Sequence, residues 1–269
     1  MKDAIKSILP VNVRTRLKWA GYAVKDIIDP VKDPRVPNRR DTFVGGGDFV
    51  AVGDDFLKTL KRHGVTPDMA ILDVGCGQGR MARPLTEFLV PEGHYLGFDI
   101  VKAGVEWCQT HYADLPNFTF VHADVFNARY NADGHNEASA YTFPSDSDAY
   151  DFAFLTSVFT HMLQTDVERY LSEITRSLKP GGRCLITWFL LNPQTEACKA
   201  PRLTFRFPVD EGSKTTLEDS PEAAIAFSEN WVRDAYLKNG LAIEAIEYGN
   251  WANPHSQFGY QDTIIARKV

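Results

Sequence analysis

Between residues 71 and 190 the chain alternates short, continuous apolar runs with longer stretches whose apolar positions return every three or four residues. A continuous run bounded by turn residues reads as a strand buried on both faces, and the longer period reads as a helix packed by one stripe. Strands are expected from Ile71, over 93–100, over 118–125, from Tyr150 and over 184–190, with helices over 54–63, 78–89, 101–112 and 165–178. This alternation predicts a parallel sheet with helices on its faces. Beyond it, 231–239 reads as a helix stopped by Gly240, and 241–248 and 261–267 as a closing antiparallel pair. Two stretches interrupt the pattern: a polar insertion at 127–148, after the third strand, and a longer one at 191–228, after the fifth.

The first strand runs into the most distinctive chemistry of the chain. Ile71-Leu-Asp-Val-Gly-Cys-Gly-Gln-Gly-Arg80 passes from apolar residues through Asp73 into three alternating glycines, Gly75, Gly77 and Gly79. Glycines there allow a sharp turn and let a ligand lie against bare backbone while amide N–H groups point at a polar group. The dinucleotide fingerprint spaces its glycines G-x-G-x-x-G, and here the third comes one residue early. Two more strands end on acids. Asp99 lies 20 positions after Gly79, where a doubly wound sheet places a carboxylate on ribose hydroxyls, and Asp124 follows the third strand, suited to accept from an exocyclic amine. Each acid taken singly is equally well a turn or cap carboxylate.

Asp-x-Gly-x-Gly-x-Gly, the acids at 99 and 124, the Leu155-Thr-Ser-Val-Phe-Thr-His-Met162 string and the Leu178-Lys-Pro-Gly-Gly-Arg183 turn resemble, in order, the motifs of class I S-adenosylmethionine (SAM) dependent methyltransferases. Together with Tyr260-Gln-Asp262 they look like a bacterial group associated with glycans or secondary metabolites. The resemblance covers roughly residues 53 to 190. It implies a Rossmann-like doubly wound α/β fold, seven strands in the order 3-2-1-4-5-7-6 with the last antiparallel. It implies SAM as cofactor, held by Asp73, Gly75, Cys76, Gly77, Gln78, Gly79, Asp99, Ile100, Asp124, Val125 and Thr156. A nicotinamide oxidoreductase and a non-catalytic binding module on the same fold stay open as alternatives.

The net charge of −6 hides an uneven distribution. Residues 1–40 hold ten Lys and Arg against four Asp, a net +6, which leaves −12 on the rest. We read 1–40 as a basic helical arm and 41–269 as the methyltransferase domain. The arm either packs on the acidic body, the reading favoured here, or lies on an anionic membrane or a partner. An acidic body repels a phosphate backbone, so nucleic acid is not an expected partner. Four cysteines without C-x-x-C spacing argue against a disulfide framework or a zinc site, no apolar run is long enough to cross a bilayer, and the expected address is the cytoplasm.

The acceptor leaves a fainter trace. Loops at the carboxyl ends of parallel strands form the ligand crevice, so 191–228 is the expected acceptor lid, and the glycine-rich 43–49 a gate over the cofactor. Arg202 and Arg206 are equally solvated edges or contacts to an anionic or polyhydroxylated acceptor, and Trp251 reads as a packed loop aromatic. His161, just past the fourth strand, is the candidate general base for a hydroxyl of a sugar or other small molecule, against an equal reading as a helix-start residue, with His122 a weaker candidate. Asp151, Asp166 and Glu168 do not make a metal site, and none is expected.

Overall fold

In a computed structural model, which describes residues 11–42 and 46–269, the predicted alternation is a seven-stranded sheet. Its parallel part consists of β1 (Ala70–Val74), β2 (His94–Asp99), β3 (Phe118–His122), β4 (Tyr150–Leu155) and β5 (Leu178–Trp188). β10 (Leu241–Glu247) and β11 (Asp262–Lys268) complete it, and β11 runs antiparallel to both β5 and β10. The order β3-β2-β1-β4-β5-β11-β10 is that of the Rossmann-like methyltransferase sheet, including its late antiparallel strand.

Consecutive strand residues feed opposite cores, which is why the runs are continuously apolar. Leu72, Ala153, Leu155 and Ile186 pack with Val167, Leu171 and Ile174 of the helix Gln164–Ser177, whose buried positions recur at helical spacing. Ile71, Phe152, Phe154 and Leu185 face the other way, against Leu60 of the helix Phe49–Arg62 and Val105 of the helix Lys102–His111.

Three elements depart from the pattern reading. The helix expected from residue 54 starts at Phe49, because Asp48 caps it by accepting from the Ala51 N–H at 2.9 Å. The helix expected over 78–89 shrinks to Ala82–Leu85 between turns: Gly79 has φ +72°, and Pro84 offers no N–H to a longer helix. The Lys-Pro-Gly-Gly turn is a bulge inside β5, where the register jumps from Tyr150↔Leu178 to Phe152↔Arg183.

The 191–228 insertion builds a second sheet. β6 (Leu190–Leu191), β7 (Phe207–Asp210), β8 (Ser213–Thr215) and β9 (Ile225–Ser228) lie in the order β6-β9-β8-β7. Residues 202–208 alternate polar and apolar side chains, the pattern of a strand edge, yet they are strand only from Phe207. In the arm, a helix spans Val11–Ile28, directly after Pro10, and residues 1–10 lie outside the description. Arg35 then pairs with Asp114 at 2.5 Å, and Asp33 with Arg83 at 2.8 Å, pinning the segment after the helix to the body, while Val24, Ile27 and Ile28 stay exposed. No helix among the described residues is long and apolar enough to cross a membrane.

Candidate functional site

The glycine turn, the strand ends and both insertions enclose a cavity of about 1240 Å³. Gly75, Gly77 and Gly79 have φ values of +85°, +55° and +72°, backbone that a side chain disfavours. At Gly75 a Cβ would also come within 2.4 Å of Val158 Cγ2. The Gly75 and Cys76 N–H groups donate to the Phe98 carbonyl at 2.8 and 3.1 Å, which ties the turn to the end of β2. Gly77 N–H donates to Asp99 Oδ2 and Val101 N–H to Asp99 Oδ1, both at 2.7 Å. Each Asp99 oxygen keeps a further acceptor position, and burial pushes its carboxyl above the usual range despite these donors.

The predicted residues divide by place. Gly75, Cys76, Gly77, Asp99, Ile100, Val125, Thr156 and His161 line the cavity. Asp73 sits behind it, 1% exposed, accepting from the Tyr95 hydroxyl at 2.6 Å through Oδ2, while its buried Oδ1 has no partner among the described residues. Burial, reinforced by neighbouring Asp99 and opposed by Tyr95, pushes its pKa up to about 8. Gly79 packs where the Tyr112 hydroxyl and Cys108 leave no room for a Cβ, and Gln78 donates to the Asp41 carbonyl at 3.0 Å, holding the segment before the gate. Arg80 likewise reaches the Gly46 carbonyl at 3.0 Å, while 43–45 of the expected gate lie outside the description. Asp124 turns outward to exposed His135 at 2.7 Å, and that hydrogen bond holds its carboxyl low.

His161 is fixed by a residue that the sequence pattern did not mark. Its Nδ1 lies 2.8 Å from the backbone carbonyl of Glu222. A carbonyl only accepts, so Nδ1 carries the proton and Nε2 is the basic nitrogen of the neutral ring. Burial lowers its pKa, which keeps the ring neutral. The Tyr130 ring meets it edge-on, centroids 5.6 Å apart, and Asn127 Nδ2 donates to Glu222 Oε1 at 3.2 Å, so both insertions converge on this histidine. Its only local signal was Pro221, which opens the 3₁₀ turn Pro221–Ala223 that presents the carbonyl. His122 instead donates through Nε2 to the Ile100 carbonyl at 3.2 Å and lies off the cavity. Trp251 is buried, its Nε1 on Asp262 at 2.7 Å. Among the described residues no group of three His, Cys, Asp or Glu is placed to hold a metal ion.

These residues fit SAM. A side-chain-free cradle, two buried carboxylates beside it and an unpartnered Asp73 oxygen suit a cationic nucleoside. The cavity exceeds the roughly 300–1,000 Å³ usual for one ligand and leaves room for a second.

Comparison with known proteins agrees. Residues 72–186, from β1 to β5, match a methyltransferase-domain family model. The chain is 31% identical over 117 residues to a phthiotriol/phenolphthiotriol dimycocerosates methyltransferase of Mycobacterium ulcerans, covering 44% of this chain and 36% of that protein. It is 25% identical over 207 residues to a sterol 24-C-methyltransferase of Yarrowia lipolytica, covering 72% and 49%. The chain thus spans half or less of these relatives' lengths. Among solved structures, a Burkholderia thailandensis 1,6-didemethyltoxoflavin-N1-methyltransferase with bound S-adenosylhomocysteine shares the fold at TM-score 0.55 and 13% identity, over 97% of this chain and 92% of that one. A SAM-dependent methyltransferase from Methanosarcina mazei does so at TM-score 0.54 and 19% identity, over 78% and 97%. The family match, the sheet order and the glycine turn agree: residues 72–186 form a methyltransferase domain on the Rossmann-like fold of SAM-dependent methyltransferases.

Proposed function

We propose that this chain methylates a hydroxyl of a small molecule, a sugar ring or a related secondary metabolite, with His161 as the base. The observation that carries the reading is the Glu222 carbonyl on His161 Nδ1, which leaves a neutral, basic Nε2 on a residue of the cavity wall. SAM, when bound, supplies a methyl group already activated on a sulfonium. The chain's task is then to orient a nucleophile, exclude water and take its proton. An unactivated hydroxyl is a poor nucleophile and gains most from such a base. Asp99, Gly77 and Gly75 would hold the cofactor, Ile100 and Val125 its adenine end. Asp73 sits one layer behind, with Oδ1 left without a partner among the described residues.

The insertion at 191–228 acts as acceptor lid in this reading: Leu203, Glu222 and Ala224 reach the cavity from it. The arm at 1–40 docks on its own body through Arg35 and Asp33. Relatives named for a dimycocerosate triol and for a sterol carbon differ too widely in acceptor to choose one, so the choice here rests on the base. The test is to incubate the protein with methyl-labelled SAM and a panel of methyl glycosides, phenols and sterols and to locate the label by mass spectrometry. Label on oxygen supports the proposal; label confined to carbon or nitrogen overturns it.

A further inference from the structure

On the cavity wall, the ends of β4, β5 and β11 are linked by neutral polar side chains outside the cofactor cradle. Ser157, directly after Thr156, has φ +60°, one of two non-glycine residues with positive φ among the described ones. Backbone of this kind persists only where surroundings hold it, and it gathers at functional sites. Here the Ser157 N–H donates to Thr187 Oγ1 at 2.8 Å and its hydroxyl donates to Gln261 Oε1 at 2.9 Å. Ser157 is nonetheless exposed, Thr187 and Gln261 are half-buried, and all three line the cavity.

Resting on the function proposed above, we propose that Ser157, Thr187 and Gln261 form a neutral hydrogen-bonding subsite that grips a second oxygen of the acceptor, beside the one that is methylated. Position separates this subsite from the cofactor. The cradle lies on β1, β2 and β3 and meets the other flank, β4, β5 and β11, only at Thr156, whereas these residues belong to that flank. At roughly 4.8 Å per strand, they extend about 5 to 15 Å from the glycine turn, the span of a small ring. Chemistry sets the class of ligand. Because Oε1 of Gln261 is engaged by Ser157, its two N–H donors are left for another acceptor; Thr187, already accepting, has its own O–H to donate. Arg62 and Glu247, which also line the cavity, neutralise one another at 2.7 Å. Donors without net charge select hydroxyl or carbonyl oxygens over carboxylates and amines.

The test measures binding of methyl α-D-glucopyranoside, cyclohexylmethanol and benzoate to the full chain saturated with S-adenosylhomocysteine, by calorimetry. Wild type should bind the glycoside better than the single alcohol and reject benzoate. Gln261→Glu retains an acceptor for Ser157 but removes both donors, and should weaken the glycoside about tenfold while S-adenosylhomocysteine affinity stays within about threefold. Ser157→Gly relieves the backbone, so it should raise the melting temperature and yet weaken the glycoside, a combination that a purely structural role does not produce. The proposal is overturned if glycoside binding is unchanged in both variants, if the wild type holds no glycoside, or if the variants weaken S-adenosylhomocysteine as much. Glycoside binding that responds to these variants without methyl transfer to oxygen would instead sink the functional proposal and leave the subsite standing.

Discussion

Asp73→Asn should stabilise the ligand-free protein near neutral pH. In the fold its carboxyl titrates at about 8, against about 3.9 in an unfolded chain. An acid whose pKa rises on folding contributes most below the unfolded value, and that contribution is lost as pH climbs from about 4 towards 8. At pH 7 the loss is roughly 4 kcal/mol, at about 1.4 kcal/mol for each unit of pH crossed. Asparagine does not titrate, and its carbonyl can still accept from the Tyr95 hydroxyl. Its amide takes the place of Oδ1, which has no partner, and an unsatisfied buried donor costs about 1 to 3 kcal/mol. The net expectation is a gain of about 1 to 3 kcal/mol at pH 7, shrinking to nothing or a small loss at pH 4.5. Urea unfolding of both proteins from pH 4.5 to 8, without cofactor, measures it. A variant less stable than wild type at pH 7, with the same pH slope, would show that Asp73 is not the buried, uncompensated acid inferred from its surroundings. Natural sequences keep such residues where function needs them.

His161→Ala should lower kcat by roughly 10² to 10⁴ with SAM affinity nearly unchanged, and should abolish the acidic limb of the kcat profile. In wild type that limb is set by loss of the neutral ring on acidification; because burial lowers the His161 pKa, its midpoint should fall below about 6.5. An unchanged limb in the variant assigns it to another group. Asp99→Ala should weaken SAM by about 1.5 to 3 kcal/mol in calorimetry with the fold retained, and equal affinity refutes the ribose assignment. Gly75→Ala, with positive φ and Val158 Cγ2 at 2.4 Å, should lower stability far more than Gly181→Ala, whose φ of +78° meets open space and costs about 1 to 2 kcal/mol; comparable losses in thermal melts would discount the Val158 contact.

What the sequence disclosed follows from what is local. The glycine turn and its flanking strands were legible because continuous apolar runs and φ-permissive residues are decided within a few positions. The 78–89 helix was over-read, since its apolar spacing outweighed Pro84, and the helix at Phe49 was read short because one cap, Asp48, sets its start. Asp124 had the expected position past β3, but its direction depends on His135, which belongs to an insertion with no period of its own. Glu222 and the second sheet were illegible for the same reason: strands of two to four residues carry no pattern, and the contact to His161 spans 61 positions. Function here was written partly in local motifs and partly in long-range closures.

The sheet order also dictates a timetable for the growing chain. β11 follows every other strand in sequence, yet it occupies an inner place, between β5 and β10. Until it leaves the ribosome, β10 has no partner in this sheet, and β5 presents an unpaired edge. Asp262, its first residue, then takes the backbone N–H groups of Leu190 and Gly249 and the Trp251 indole, so that the strand made last also fastens the second sheet and the long C-terminal turn. This sheet therefore closes in a single zippering step, and a nascent chain stalled before residue 262 would hold a formed glycine turn on an open sheet.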